Sequence, residues 1–475
     1  MKEYIIVLAP FAILLILYLS AQNWRTSIKT ILVLVVVEGA LRKWVLPQSS
    51  QFIYFLKDII LIGAYLRYYI FSSTQKTFRI KGNSAAETIA SVILLLTAWC
   101  LLQVFNPSLG SPIIGIFGIR GYLLYIPLIW MLPNLFRSEE ELYRFLRAYL
   151  LLVIPVGLLA IAQFFSPPLS PLNTYAQDIK QDIATFGDGN STSVRVTGTF
   201  SYINGYSVYA IISFGLLVPL LAVPQSRWWR WATIAELLLI IGTSFMTGAR
   251  ALFISEILFL IGYFGAQLLT NLKTAVPLIK QFTVPIIAIT VATITWFQPA
   301  INSLLFRINS NNDVSSRISG SFIEPFEFMK LKGLDSYGLG ATHPATSVLH
   351  KILNLPLGET IPVYYESEMG RIVLEIGPIG FFLWYLLRLI LIYVLWRTFL
   401  KLKRPLLRQL ALSAFLIHAL QFNSQLVFNH TLLVYYWSLA GFIFLLPRLE
   451  QMENWKQQQE YFNGPDTYRP HTSYR

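Results

Sequence analysis

Residues 372 to 396 read IVLEIGPIGFFLWYLLRLILIYVLW, an apolar run broken only by the ionisable Glu375 and Arg388. A spanning helix needs about 20 mainly apolar residues, so this stretch is long enough to cross a bilayer. Comparable runs lie near 4 to 20, 29 to 46, 52 to 71, 88 to 105, 113 to 134, 146 to 166, 202 to 222, 230 to 246, 251 to 270, 280 to 298, 407 to 425 and 428 to 447. Together they make about 13 spans and leave no room for a separate soluble domain. The expected fold is all-α: a polytopic integral membrane protein with about 12 to 13 transmembrane helices and a large extracytoplasmic loop.

Composition agrees. Of 475 residues, 55% are hydrophobic, 15% aromatic and only 13% charged, against roughly 25% charged in an ordinary globular domain. So little charge cannot cover a soluble surface, which excludes a soluble multidomain enzyme. The single cysteine, Cys100, lies in an apolar run, excluding an intrachain disulfide framework and a Cys-based zinc site. The net charge of +13 does not point to nucleic acid. Its basic residues fall in short clusters between apolar runs instead of along one stripe.

Those clusters set the topology. Arg25 and Lys29; Lys76, Arg79 and Lys81; Arg137, Arg144 and Arg147; Arg227 and Arg230; Lys273; and Arg397, Lys401, Lys403, Arg404 and Arg408 fall in alternate loops. The positive-inside bias makes these loops cytoplasmic. The short loops 106 to 111 and 421 to 430, which lack Lys and Arg, share the opposite side with the long connections 167 to 201 and 299 to 371. The expected organisation is a transmembrane domain over 1–447, containing those two extracytoplasmic loops, and a cytoplasmic, disordered tail over 448–475. The N-terminus then lies outside. The first run is too long for a signal-peptide core and lacks a small-residue cleavage site. Arg42 and Lys43 dissent, sitting at the outer end of their span: either that hairpin is re-entrant or the two cations have work there. No internal repeat supports an inverted-repeat transporter.

An ionisable residue within a span costs several kcal/mol unless it is paired or faces a cavity, roughly speaking. Glu38, Lys57, Asp58, Arg120, Glu236, Glu256, Glu375 and Arg388 qualify. Lys57 and Asp58 project about 100° apart on a helix and need separate partners, so structural pairing is the plainer reading. At the outer boundary, Arg195, Arg250 and Arg317 are different. A guanidinium stays charged and offers a planar fork of donors to phosphate oxygens, and three on one side suggest a diphosphate. The plainer alternative is carboxylate pairing, for example Arg250 with Glu256, or headgroup anchoring.

The stretches RVTGTFSYINGYSVYA, FMTGARALF, GLDSYGLGAT and ESEMGRIVLEIGPIGFFLW, in this order over roughly 190 to 400, resemble the O-antigen ligase and O-antigen polymerase superfamily. The resemblance implies a GT-C-like membrane glycosyltransferase in the cell (inner or plasma) membrane, working at its extracytoplasmic face on glycans carried by undecaprenyl diphosphate. It implies that Arg195 and Arg250 hold the lipid diphosphate; the residues themselves add Arg317 as a third candidate and Arg42, Lys43 and Arg120 as an extension of the positive path for the head group. It also implies a polysaccharide flippase and a chain-length regulator as partners beside membrane lipid. The family commonly carries a His-Asn pair eleven residues before the glycine matched by Gly377. Here those positions hold Glu366 and Ser367, so a His-dependent mechanism does not transfer directly.

In the implied reaction a sugar hydroxyl attacks the anomeric carbon and expels undecaprenyl diphosphate. Fixed arginines stabilise the growing charge, and a base takes the hydroxyl proton. Glu366 or Glu368 suits that role, or His343 or His350, whose type titrates near neutrality. Tyr202, Tyr206, Tyr337, Tyr364 and Tyr365 offer faces for sugar stacking. No spacing suits a metal, and transfer without a cofactor is expected. The missing His-Asn pair favours a polymerase over a ligase. A small-anion transporter, for bicarbonate or a similar ion, is the reading from another class; it calls for polar groups at span midplanes instead of the outer boundary.

Overall fold

The computed structural model describes residues 2–71, 84–177, 179, 181–186, 193–270, 272–310 and 314–463; the expected cytoplasmic cluster Lys76, Arg79 and Lys81 lies outside them, as does the side chain of Lys273. The described residues are helical and contain no sheet, only an isolated antiparallel bridge between Thr185 and Val194. Six helical segments among them are long and apolar enough to cross a membrane: Ser84–Val104, Glu139–Phe164, Ile203–Ala222, Arg250–Thr270, Glu368–Lys401 and His430–Gln459. The chain is thus a multi-pass membrane protein. Several other expected spans are built from shorter pieces. Trp24–Ala40 and Ser50–Tyr65 each run into a five-residue π turn, Leu41–Val45 and Leu66–Ile70.

The run near 113 to 134 departs most from a continuous helix. Ser111 caps Pro112–Tyr122, the chain turns through 123 to 127, and only the short helix Leu128–Met131 and a 3-10 turn at Leu132–Asn134 follow. Pro127 and Pro133 lack the N–H that would continue the ladder. The freed carbonyls find new donors: Tyr65 Oη to Leu124 O (2.8 Å), Tyr69 Oη to Pro127 O (2.9 Å) and Tyr68 Oη to Trp130 O (3.2 Å). Irregular backbone is tolerated in a bundle when buried groups are satisfied in this way.

Burial separates core from periphery. The Ile203–Ala222 helix is 83% buried, and it packs on Arg227–Thr247, Arg250–Thr270, Pro405–Leu420 and His430–Ala440. Ser84–Val104 is 28% buried and exposes Leu94, Leu95, Leu101 and Leu102, an apolar face suited to lipid. In the long Glu368–Lys401 helix, Gly377 adopts φ 66°, a left-handed value that a side chain resists, and Pro378 follows. The kink carbonyls are taken by Trp99 Nε1 on Ile376 O (2.7 Å), Tyr337 N on Leu374 O (2.7 Å) and Ser336 Oγ on Glu375 O (3.0 Å). The kink therefore holds the 335 to 342 loop against the bundle.

The two ends of the bundle differ. At one, Lys29 Nζ pairs with Glu141 at 2.8 Å, Arg25 donates to Asn134 O, Arg404 pairs with Glu139 and Arg448 donates to Pro133 O. At the other, the short loops 106 to 111 and 421 to 430 meet the long connection 299 to 371: Asn106 Nδ2 donates to Ser336 O (3.1 Å), Glu359 N to Ser108 O (2.7 Å) and Gln425 Nε2 to Glu366 O (3.1 Å). Residues 448 to 463, expected within a disordered tail, instead continue the Phe442–Asn463 helix. Leu449 is fully buried, and Glu450 accepts from the backbone N–H groups of Lys403 and Arg404, which ties this segment down. Residues 464 to 475 lie outside the described residues.

Candidate functional site

A cavity of about 860 Å³ opens at the end where those loops meet. Its wall includes Glu38, Arg42, Tyr54, Lys57, His343, Arg371 and His430, and it carries the amides of Gln51, Gln177, Gln181, Asn204, Gln425 and Asn429. A narrow recess beside it is bounded by Arg120, Tyr122, His343, Glu375 and His430.

The charges are organised in linked groups. Glu38 accepts from Arg42 Nη1 (3.3 Å) and Lys57 Nζ (2.6 Å), while Asp58 accepts from Arg120 Nε (2.6 Å) and from Tyr125. The adjacent Lys57 and Asp58 thus find separate partners. Arg42, Lys57 and Arg120 all lie over the Tyr54 ring, within 4.9 Å of its centroid, close enough for cation–π attraction. Two buried cations have neutral partners only, among the described residues. Lys43 Nζ donates to Thr197 Oγ1, Gly198 O and Phe200 O at 2.8 to 2.9 Å. Arg371 donates to Thr342 Oγ1 (3.1 Å) and Thr342 O (2.8 Å), with its guanidinium 3.3 Å above the Phe428 ring centroid. The dissenting pair Arg42 and Lys43 is therefore buried beneath the cavity.

Glu375 fixes the loop that carries His343. Its carboxylate accepts from Tyr122 Oη (2.9 Å), Thr342 N (2.9 Å) and Thr342 Oγ1 (2.7 Å). Ala345 N donates to His343 Nδ1 at 3.1 Å, so the neutral ring carries its proton on Nε2. Burial, with Arg120 and Arg371 adding repulsion, pushes the His343 imidazole down to about 3. At neutral pH it is a neutral Nε2–H donor.

The other sequence-derived candidates divide among several places. Arg195 Nε donates to Thr247 O (2.9 Å), three residues before Arg250 begins the next helix, so these two positions come together. Neither lines the cavity described above. Glu256, considered as a partner for Arg250, accepts from Ser244 Oγ at 2.6 Å. The side chain of Arg317 lies outside the described residues. Glu366 is exposed just before the long helix, whose N-cap is Ser367. Glu368 is wholly buried in that helix's first turn; it accepts from Arg388 Nη1 (3.0 Å) and Val427 N (3.0 Å), bracing the 421 to 430 loop. Neither carboxylate lines the cavity, whereas His343 does. His350 is buried and does not line it. Of the tyrosines, Tyr202 lines the cavity, Tyr206 donates to Thr243, Tyr337 is buried and Tyr364 is exposed. The remaining in-span charge, Glu236, pairs with Arg147 of the expected cytoplasmic cluster at 3.2 Å, and both are buried.

Sequence reasoning passed over Arg371 and His430, which sit at the first turns of spans. The available signal was the rule applied to their neighbours, that an ionisable side chain at membrane depth needs a partner or a cavity. Comparison with protein-family models, curated proteins and solved structures returns no match.

Proposed function

We propose that the chain is a membrane glycosyltransferase that polymerises undecaprenyl-diphosphate-linked oligosaccharide repeat units at the extracytoplasmic face. The observation that carries this reading is the cavity at the loop-bearing end, where Arg42, Lys57 and Arg371 accompany sugar-sized space, amides and aromatic rings. A hydroxyl-rich, anionic ligand matches that lining. The four sequence stretches that resemble the polymerase and ligase superfamily add the reaction class.

In this reaction the acceptor hydroxyl oxygen forms a bond to the anomeric carbon of the donor. The bond from that carbon to phosphate oxygen breaks, and its electron pair leaves with undecaprenyl diphosphate. Arg195 and Arg250 are assigned to the donor diphosphate, where fixed guanidinium groups favour the charge that accumulates in the transition state. His343, as a neutral donor, suits a bond to an anionic oxygen better than removal of the hydroxyl proton. Exposed Glu366, whose backbone carbonyl accepts from Gln425 of the cavity wall, remains the proposed base for that proton.

The test is purified protein in lipid with an undecaprenyl-diphosphate-linked oligosaccharide, followed by analysis of lipid-linked chain length. Longer chains are expected from the parent and a loss of at least tenfold from Arg195→Ala and Arg250→Ala. Normal elongation by both variants rejects the donor clamp, and normal turnover by Glu366→Gln moves the base elsewhere.

A further inference from the structure

His430 presents a problem that the protein alone leaves unsolved. Its side chain lies at the cavity wall, the residue is 8% exposed, and neither ring nitrogen has a hydrogen-bond partner among the described residues. Arg120 Nη1, on the adjoining recess, is likewise buried without an acceptor among the described residues. Buried polar atoms are normally satisfied, and an orphan beside a polar cavity calls for something that enters it. The charge balance states what kind. Arg42, Lys43, Lys57, Arg120 and Arg371 surround this region, against the carboxylates of Glu38, Asp58 and Glu375. The excess is positive, and Arg371 in particular has no carboxylate of its own among the described residues.

We infer that this cavity is a second anion site, distinct from Arg195 and Arg250, that takes the diphosphate of a saccharide carrier. Arg371, His430 and Arg120 contact the phosphate oxygens, and the neutral His343 Nε2–H adds a fourth donor. The Glu38 and Asp58 pairs are positioning groups that keep Arg42, Lys57 and Arg120 gathered around Tyr54. The amides of Gln51, Gln177 and Asn204 face the sugars.

One segment joins the two anion sites. Along RVTGTF, residues 195 to 200, Arg195 reaches Thr247 O, Val196 N donates to Met246 O, and the Gly198 and Phe200 carbonyls accept from Lys43 below the cavity. Six residues extend no more than about 20 Å. A reaction between two diphosphate-linked glycans brings two strongly charged head groups to one protein, and separate cation clusters at this spacing hold them apart while the sugars meet. That assignment of donor and acceptor rests on the function proposed above; the anion site itself does not.

The experiment is titration of the full chain in nanodiscs with inorganic pyrophosphate, followed calorimetrically, with bicarbonate in a parallel arm. Arg195→Ala/Arg250→Ala should retain one pyrophosphate site. Adding His430→Phe, which keeps a ring against Tyr54, should weaken that remaining site at least tenfold, as should Arg371→Gln. The His430 ring makes no hydrogen bond among the described residues, so its substitution tests binding even if Arg371→Gln fails to fold by releasing Thr342. Pyrophosphate binding that disappears with Arg195 and Arg250, or that ignores His430→Phe, overturns the inference. So does bicarbonate binding as tightly as pyrophosphate. Pyrophosphate affinity and glycan elongation are separate readouts, so loss of elongation with the site intact counts against the proposed reaction alone.

Discussion

Replacing Glu368 separates a structural brace from a catalytic base. Its carboxylate and the Arg388 guanidinium are 0% and 1% exposed, with Nη1 3.0 Å from Oε1. Arg388 also donates to Gln421 O, and Glu368 accepts from Val427 N, so both ends of the pair grip the loop beside the cavity. Glu368→Ala strands a buried guanidinium, a loss of about 3–5 kcal/mol. In Glu368→Ala/Arg388→Met no buried charge remains, and the chief loss is the partners of Val427 N and Gln421 O, about 1–3 kcal/mol. The double variant should therefore be more stable than Glu368→Ala, with a coupling energy of about 2 kcal/mol or more. SDS-driven unfolding in bicelles, followed by tryptophan fluorescence, measures the cycle. If Glu368→Ala unfolds like the parent yet loses elongation, or if the two substitutions are additive, the brace is wrong and Glu368 belongs in the chemistry.

Two further outcomes follow from local geometry. A Cβ on Gly39 would lie 2.5 Å from the Phe200 carbonyl carbon and would also meet Ser201 N and Thr199 O. Gly39→Ala should cost about 1–3 kcal/mol or more through overpacking, and should weaken pyrophosphate binding by displacing the 199 to 201 segment; an unchanged unfolding midpoint refutes that close approach. For His343 the folded pKa of about 3 lies below the ordinary 6.5. Above the unfolded value both states are neutral. As pH falls below it, the unfolded state binds the proton first, so stability declines until the folded value is reached. Between pH 6.5 and 5.5 the loss is about 1 kcal/mol, and it should be absent from His343→Asn. Parallel acid profiles for variant and parent contradict this. Bound pyrophosphate should lessen the slope, because an anion favours the imidazolium.

Much of the layout is local. Apolar length made the six long spans legible, and charge bias grouped the loops that meet at one end of the bundle. Prolines and π turns were harder to weigh, since whether an interrupted run stays buried depends on donors such as Tyr65, Tyr68 and Tyr69, supplied from another segment. The tail was misread between 448 and 463 for the same reason. Its polarity suggests a solvated chain, but Glu450 caps the start of the Pro405–Leu420 helix and Leu449 enters the core.

Amino-acid order alone determined that this protein lives in hydrocarbon, because a chain with so little charge has no other place to bury its surface, and that its in-span charges need partners. Only the tertiary structure decided which partners. It drew Glu368 into Arg388, Asp58 into Arg120 and Glu38 between Arg42 and Lys57, and left Arg371 and His430 facing a cavity. Desolvation at membrane depth acts on every ionisable group alike. Whether a group is neutralised or held ready for a ligand depends on which residues, distant in the chain, lie within a few ångströms, and that distance exists only after the helices have packed.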